Sequence, residues 1–310
     1  MSRMCVLAAA LTALQVGASV GLAQAQAQNI EIRRDVVYAI HDGVALSGDY
    51  YVPRGQGRYP VVVAVHGGGW QAGSRASHRH WGPYLAGHGI AVFAIDYRLS
   101  KPGQLTFPQA VHDVRAAMQF VKHNADDLKI DPERTAFMGE SAGAHLVSLV
   151  GLAGDAPTFA AGYPNDPYAS VSTRVKAVVA TFGVYDLVAH WQHDQIARPR
   201  DQILEKFLGK APLDDRRIYF DASPMSDATR GPDRPAFLLV WGTGDDVADP
   251  SQSEQFMTAL KQARITTRKI AITDAPHFFM SDPLDDPSSP VYHVAPQVLR
   301  LLQSRLASRE

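Results

Sequence analysis

The sequence predicts an α/β fold in which a mostly parallel, eight-stranded sheet carries helices on both faces. After the second strand, strand-like apolar segments alternate with helix-like segments, an order typical of parallel sheets covered on both sides. The first two strands are separated only by residues 41–43, a hairpin signal, so the sheet is expected to begin antiparallel. The chain has 310 residues, of which 46% are hydrophobic, and this is enough for one large core in a single domain.

The predicted strands share an apolar character and are bounded by turn-forming residues. In chain order they cover residues 32–40, 45–52, 61–65, 90–95, 135–138, 177–182, 236–241 and 267–272. The residues between the later strands have helix-like patterns, which predicts parallel pairing for that part of the sheet.

Helices are predicted from about Pro108 to Val121 and over residues 141–150, 251–263 and 295–306. In the first of these, Pro108 suits the first turn and the apolar residues from Val111 to Val121 recur on one face. Residues 186–234 are rich in Pro, Asp, Gly and Arg and lack a strong strand pattern. We expect this segment to form a small cap insertion, because insertions in α/β folds collect on the face where ligands bind.

The N-terminal residues have the features of a secretory signal peptide. Arg3 precedes an almost wholly apolar or small stretch over residues 5–23, and the small-x-small sequence Ala-Gln-Ala at 25–27 suits cleavage. A signal peptide of residues 1–27 is therefore predicted, followed by one domain over 28–310. A transmembrane anchor is the alternative, but the stretch is rich in Ala and Gly and no stop-transfer charges follow. Removal of the only cysteine, Cys5, fits a periplasmic or secreted protein without disulfides and without a stable membrane anchor.

Charge and histidine spacing exclude two classes of function. The formal net charge is −1 and there is no basic block, so nucleic acid is not expected as a partner. The twelve histidines include no His-x-x-x-His pair, and there is no cysteine pair. The sequence therefore predicts neither a metal site nor a cofactor.

A Gly-Glu-Ser-Ala-Gly motif at 139–143 lies between a predicted strand and a predicted helix. Such a strand would deliver Ser141 to a tight corner, where side chains larger than Gly on either flank would collide with backbone. The hydroxyl is then exposed at a helix N-terminus, and the Ala142 amide can face a developing oxyanion. The motif predicts a nucleophilic serine; the alternative is an ordinary turn with a capping serine.

A second motif, His-Gly-Gly-Gly-Trp at 66–70, follows the apolar strand 61–65. Consecutive glycines leave backbone amides sterically open, which suits the second half of an oxyanion hole. The alternative is a flexible turn, although a plain turn needs fewer glycines.

A nucleophilic serine needs a base, and the base needs an orienting carboxylate. Asp245, Asp246 and Asp249 are the candidate acids, because they follow the strand that ends near Trp241. A solvated acidic turn is the alternative explanation for such a group.

His277 is the candidate general base, because it occupies the equivalent place after the strand 267–272. His293 is the alternative. His66 and His145 lie inside motifs but are expected to be structural.

These motifs resemble the HGGG-type esterase and lipase branch of the α/β-hydrolase superfamily, including its feruloyl/acetyl-xylan esterase-like and kynurenine formamidase-like members. The resemblance runs from about residue 36 to the C-terminus. It rests on His66-Gly67-Gly68-Gly69-Trp70, Asp96-Tyr97-Arg98-Leu99, Gly139-Glu140-Ser141-Ala142-Gly143-Ala144-His145, Gly242-Thr243-Gly244-Asp245 and Ser251-Gln252-Ser253-Glu254.

The resemblance implies an α/β-hydrolase fold with the chain order serine, acid, histidine. It maps the acid to Asp245 and the oxyanion donors to Gly68, Gly69 and Ala142. Hormone-sensitive-lipase relatives usually read Gly-Asp-Ser-Ala-Gly-Gly around the serine, whereas Glu140 and Ala144 stand here, which favours the feruloyl esterase or formamidase side. Many relatives also carry Gly shortly before the histidine, whereas Pro precedes it in this chain.

The function expected from these features is a secreted serine carboxylic-ester hydrolase that cleaves short-chain acyl esters, of acetyl or feruloyl type, through an acyl-enzyme. Its substrate would be a small-molecule or oligosaccharide ester. An aryl formamidase acting on an N-formylkynurenine-type amide is the alternative. A non-catalytic binding module with the same fold is a third hypothesis, although such modules usually lack part of the triad.

Overall fold

An eight-stranded sheet forms the centre of the structure, a computed structural model that describes residues 29–308. The strands are β1 (Ile30–His41), β2 (Val44–Pro53), β3 (Tyr59–Val65), β4 (Ala91–Ile95), β5 (Ile130–Glu140), β6 (Ala177–Thr181), β7 (Ala236–Gly242) and β8 (Thr267–Ile272). Their order in the sheet is β1-β2-β4-β3-β5-β6-β7-β8. Strand β2 is antiparallel to β1 and β4, and the other neighbours are parallel. The predicted α/β fold is confirmed, while the predicted signal peptide lies outside the described residues.

The antiparallel start of the sheet comes from a two-residue hairpin. His41 pairs with Val44, so only Asp42 and Gly43 form the turn. Both have positive φ, 51° and 77°. This is the turn geometry whose twist suits two antiparallel strands, and Asp-Gly is among its preferred sequences.

The central parallel strands are buried on both faces, as their continuous apolar runs predict. In β3, Val61, Val63 and Val65 pack into one hydrophobic cluster, whereas Val62 and Ala64 pack into the other. The alternation of side chains along the strand therefore divides the core into two layers.

Nine helices, together with two 3-10 turns at Arg75–His78 and Pro224–Asp227, surround this sheet within the described part of the chain. They are α1 (Trp81–Gly87), α2 (Gln109–His123), α3 (Ala142–Ala153), α4 (Pro157–Ala160), α5 (Leu187–Ala197), α6 (Ile203–Leu208), α7 (Arg216–Ala222), α8 (Pro250–Gln262) and α9 (Val291–Arg305). Helices α1 and α9 contribute to one core layer, and α2, α3 and α8 contribute to the other. Of the helices described, none is both long and apolar enough to span a membrane.

The last helix begins earlier than the sequence indicates. It was expected over residues 295–306 but starts at Val291, and Pro296 lies inside it. Val291 and Val294 are buried together with Val298, so their burial on one face stabilises the extra turn. Pro296 is on the exposed side, where its ring avoids the core although one intrahelical hydrogen bond is lost.

The register of the parallel strands brings several loops to one edge of the sheet. Val65 of β3 is level with Gly139 of β5, and Glu140 is level with Thr181 of β6. Strands β7 and β8 also end together, with Gly242 opposite Ile272. Because parallel strands point the same way, the residues that follow them meet at their carboxyl ends, where α/β proteins bind ligands.

Candidate active site

Ser141 lies at a strained corner between β5 and α3. Its φ and ψ are 52° and −120°, an unusual conformation for a residue other than glycine. Its amide donates a hydrogen bond of 2.9 Å to the carbonyl of Thr181 at the end of β6. The surrounding strands therefore hold the serine in a conformation that costs on the order of 1–3 kcal/mol, as is common at functional sites.

The two glycines that flank this corner are required by close backbone contacts. A Cβ on Gly139 would lie 2.5 Å from the carbonyl carbon of Gly143. A Cβ on Gly143 would lie 2.1 Å from the carbonyl oxygen of Val65 in β3. The spacing of the Gly-x-Ser-x-Gly motif thus follows from how tightly α3 packs on β3 and β5.

Asp245 and His277 form a buried pair in the loops after β7 and β8. The His277 Nδ1 and Asp245 Oδ2 atoms are 2.6 Å apart, and the residues are 3% and 6% exposed. The other carboxylate oxygen, Oδ1, accepts hydrogen bonds of 2.9 Å from the amides of Val247 and Ala248. The carboxylate is therefore held from both sides and fixes the orientation of the imidazole.

The competing acids and the competing histidine lie elsewhere. Asp249 accepts a hydrogen bond from the amide of Ser251 and caps α8, and Asp246 is exposed. His293 is exposed on α9. Of the candidates from the sequence, the structure thus brings only Asp245 and His277 into contact.

The imidazole of His277 lies on the same edge as Ser141. Its ring packs against Phe182, with 4.3 Å between ring centroids, and Phe182 directly follows the Thr181 that binds the Ser141 amide. Because Nδ1 donates to Asp245, the neutral ring leaves Nε2 as an acceptor. Within residues 29–308, this buried Nε2 has no hydrogen-bond partner. It is available to accept a proton.

The glycine loop after β3 lies beside the serine. A Cβ on Gly67 would lie 3.1 Å from the Ser141 Cβ, so the backbone of this loop is in close contact with the nucleophile candidate. Gly68 and Gly69 both have positive φ, 109° and 57°. Neither of their amides donates to a backbone carbonyl in the described range. Ala142 begins α3, where first-turn amides have no partner within the helix.

His66, the first residue of the glycine motif, is buried. Its Nδ1 is 2.7 Å from the Gly67 carbonyl oxygen, and its ring stacks on Tyr97 at 4.4 Å. Burial lowers the pKa of His66 below its ordinary value, so the ring stays neutral. The His66 side chain thus connects the first glycine of the loop to Tyr97.

His145 joins three parts of the site. Its Nδ1 accepts a 3.1 Å hydrogen bond from the Trp70 indole, and its Nε2 donates to the Ala222 carbonyl at 2.7 Å. Burial lowers the pKa of His145 to about 4. This neutral imidazole therefore connects the glycine loop, α3 and the 186–234 segment. The sequence predicted a structural histidine but gave no signal for this bridge.

Glu140, next to the nucleophile candidate, is a buried acid, and the motif gave no signal for its burial. Burial raises the pKa of Glu140 to about 7, against the opposing effect of hydrogen bonds from Gly67, Ser281 and Ser77. The Ser281 hydroxyl lies 3.4 Å from Glu140 Oε1, four residues beyond His277. The Glu140 carboxyl group thus connects the turn that holds Ser141 to the loop after β8 that holds His277.

With this geometry in place, comparison with known proteins identifies the family. Residues 49–260, more than half of the chain, match the model of the BD-FAE family. The chain belongs to the BD-FAE family.

This BD-FAE protein is similar to named ester hydrolases. It is 32% identical to the probable carboxylic ester hydrolase LipM of Mycobacterium tuberculosis, over 66% of this chain and 46% of LipM. It is 28% identical to the probable isoprenylcysteine alpha-carbonyl methylesterase ICMEL2 of Arabidopsis thaliana, over 82% of this chain and 59% of that protein. The chain thus spans about half the length of its mycobacterial relatives. These matches place the BD-FAE protein in the esterase and lipase branch of the α/β-hydrolase superfamily.

Solved structures agree with the fold. The native structure of esterase 2 from Thermogutta terrifontis has a TM-score of 0.72 and 24% identity, covering 90% of this chain and 93% of that one. Its butyrate-bound structure has a TM-score of 0.73 and 23% identity, covering 90% and 95%. The α/β-hydrolase fold expected from the motifs is therefore confirmed.

Proposed function

We propose that this protein is a secreted serine carboxylic-ester hydrolase that cleaves short-chain acyl esters through an acyl-enzyme. The observation that carries the proposal is the buried Asp245–His277 pair, 2.6 Å apart, at the sheet edge where Ser141 sits on its strained turn. The names of its sequence relatives support ester hydrolysis as the reaction class.

In the proposed reaction, the Ser141 hydroxyl attacks the ester carbonyl while His277 Nε2 accepts its proton. The carbonyl oxygen becomes an oxyanion, which the amides of Gly68, Gly69 and Ala142 would stabilise. His277 then returns the proton to the leaving alcohol, and an acyl-enzyme remains on the serine.

Deacylation repeats these steps with water as the nucleophile. His277 removes a proton from water, the hydroxide attacks the acyl carbon, and the acid leaves as the serine regains its proton. Asp245 keeps its position throughout, since its two oxygens are held by the His277 ring and by two backbone amides. Its role is to fix the tautomer and stabilise the imidazolium.

The contacts around the glycine loop support a preference for small acyl groups. A Cβ on Gly69 would lie 2.4 Å from the Ile203 side chain of α6, so this side of the loop is closely covered. Phe207, also on α6, stacks on Trp70 at 4.6 Å. Apolar side chains of the 186–234 segment thus limit the room beside the proposed oxyanion donors.

The test is hydrolysis of p-nitrophenyl acetate, butyrate and octanoate by the purified protein, with Ser141→Ala as control. Rates should fall with chain length and vanish in the variant, which should also lose labelling by a fluorophosphonate. Activity retained in Ser141→Ala would contradict the assignment. Wild-type labelling without ester hydrolysis, together with turnover of N-formylkynurenine, would instead support the formamidase alternative.

Secretion rests on the predicted signal peptide. Expression of the full chain in a bacterial host should yield protein in the periplasm or medium with an N-terminus at Gln28. Recovery of uncleaved protein from the cytoplasm would contradict this part of the proposal.

A further inference from the structure

Arg198, at the end of α5, reaches the loop that holds Asp245. One guanidinium nitrogen, Nη2, donates to the Val247 carbonyl oxygen at 2.6 Å. The same nitrogen donates to Asp194 Oδ1 at 2.8 Å, and Asp194 is buried one turn earlier on α5. A single guanidinium nitrogen of Arg198 thus connects helix α5 with the loop that holds Asp245.

The Val247 carbonyl belongs to a peptide unit that also holds Asp245. The N–H of this peptide unit is the amide of Ala248, which donates to Asp245 Oδ1 at 2.9 Å. The carbonyl and N–H of a trans peptide point in opposite directions. Arg198 therefore binds the carbonyl of a rigid peptide group, and the N–H of the same group binds the Asp245 carboxylate. A cation on the carbonyl also polarises the peptide and strengthens its N–H as a donor.

We propose that Arg198 is a positioning residue that fixes the orientation of Asp245 through the 247–248 peptide and thereby holds the His277 imidazole in its reactive position. The proposal rests on the proposed function, because it takes Asp245 and His277 as the working pair. It also gives the 186–234 segment a role besides covering the site, since Arg198 links that segment to the acid.

A purely structural role for Arg198 makes a different prediction. The backbone amide of Arg198 already bonds to the Asp194 carbonyl at 2.8 Å and ends α5, whatever its side chain does. If the side chain served only helix α5, its removal would lower stability and leave the His277–Asp245 hydrogen bond and the turnover number unchanged.

The experiment compares Arg198→Met, which keeps the apolar stem and removes the donors, with Arg217→Met on α7. Arg217 is the control, because it is an exposed arginine of the same 186–234 segment, and within residues 29–308 its one ion pair is with Asp221. For p-nitrophenyl acetate, Arg198→Met should lower kcat by about tenfold to a hundredfold, since a displacement of about 1 Å in a catalytic group has effects of this size. KM should change little, and Arg217→Met should match the wild type.

A second readout does not depend on activity. The Nδ1–H of His277, hydrogen-bonded to Asp245, should give a far-downfield proton resonance that His277→Gln removes. This resonance should shift or broaden in Arg198→Met and stay in place in Arg217→Met. An unchanged resonance in a folded Arg198→Met protein overturns the proposal.

The two readouts separate the two proposals. If the wild type hydrolyses no ester, the proposed function fails, while the proton spectrum still decides whether Arg198 positions the pair. Should Arg198→Met not fold, Arg198→Gln carries the same spectral prediction, because the Gln side chain is shorter than that of Arg and its amide carries no charge. A wild-type resonance in that variant would likewise overturn the role of Arg198.

Discussion

Replacing Glu140 by Gln should change how the stability of the protein depends on pH. Glu140 is 6% exposed, and it lies between Gly139 of the serine corner and Ser141 itself. Burial raises the pKa of its carboxyl from the ordinary 4.5 to about 7, and the hydrogen bonds it receives offset burial only in part. Gln has the same shape and no charge, so the substitution isolates the cost of ionisation.

The magnitude follows from the two pKa values. Each pH unit between 4.5 and about 7 corresponds to about 1.4 kcal/mol, so ionised Glu140 destabilises the fold by about 3 kcal/mol. The folded-state pKa is raised, so the folded protein binds the proton more tightly than the unfolded chain does. The stability that the folded state gains from holding this proton is fully present below pH 4.5 and is lost as the pH rises through about 7.

The assay is urea unfolding of the wild type and Glu140→Gln between pH 5 and 8. The free energy of unfolding of the variant relative to the wild type should rise by about 2–3 kcal/mol over this range. Glu133→Gln is the matched control, because Glu133 is an exposed carboxylate on the same strand. The free energy of unfolding of Glu133→Gln should stay within about 0.5 kcal/mol of the wild-type value. A difference for Glu140→Gln that does not vary with pH would refute the reasoning that burial keeps this carboxyl protonated.

Two further substitutions test charged groups inside the fold. Asp245→Asn should lower kcat by about 10³–10⁴ on p-nitrophenyl acetate with the fold intact, while Asp246→Asn should leave kcat nearly unchanged; equal losses would contradict the choice of acid. His41 contacts the carboxylates of Asp113 and Asp166 at 2.9 and 2.8 Å, which raise its pKa although burial opposes them. That stabilisation is present below pH 6.5 and lost as the pH rises through the folded-state pKa, so thermal melting at pH 6 and pH 9 should show the advantage of wild type over His41→Gln shrinking with pH.

The sheet could be predicted from the sequence because its signals are local. The continuous apolar run Val61–Val65 indicates a strand buried on both faces, and Asp42–Gly43 specifies the hairpin turn by its backbone preference alone. The turn that holds Ser141 could also be predicted from the sequence, because the spacing of its two glycines matches the close packing of α3 on β3. The hairpin turn and the contact between Gly139 and Gly143 lie within their own motifs, whereas the contact of Gly143 with Val65 is visible in the sequence only as the need for a glycine.

The parts that sequence reasoning missed depend on contacts between distant residues. The bridge through His145 joins Trp70 to Ala222, and residue 222 is 77 positions from the histidine. The contact of Arg198 with Val247 spans 49 positions. Both involve the 186–234 segment, whose three helices have no strong pattern of their own. Neither the fold of that segment nor its polar contacts could be deduced from composition.

The charge states of the buried groups determine how a pH–rate profile of this site should be interpreted. His145 stays neutral because both of its nitrogens are hydrogen-bonded and its pKa lies near 4, and burial also keeps His66 neutral. His145 therefore does not change charge in the range where Glu140 does. A neutral-range change in rate that persists in Glu140→Gln therefore belongs neither to His145 nor to Glu140. A change that disappears in Glu140→Gln belongs to the acid beside the nucleophile.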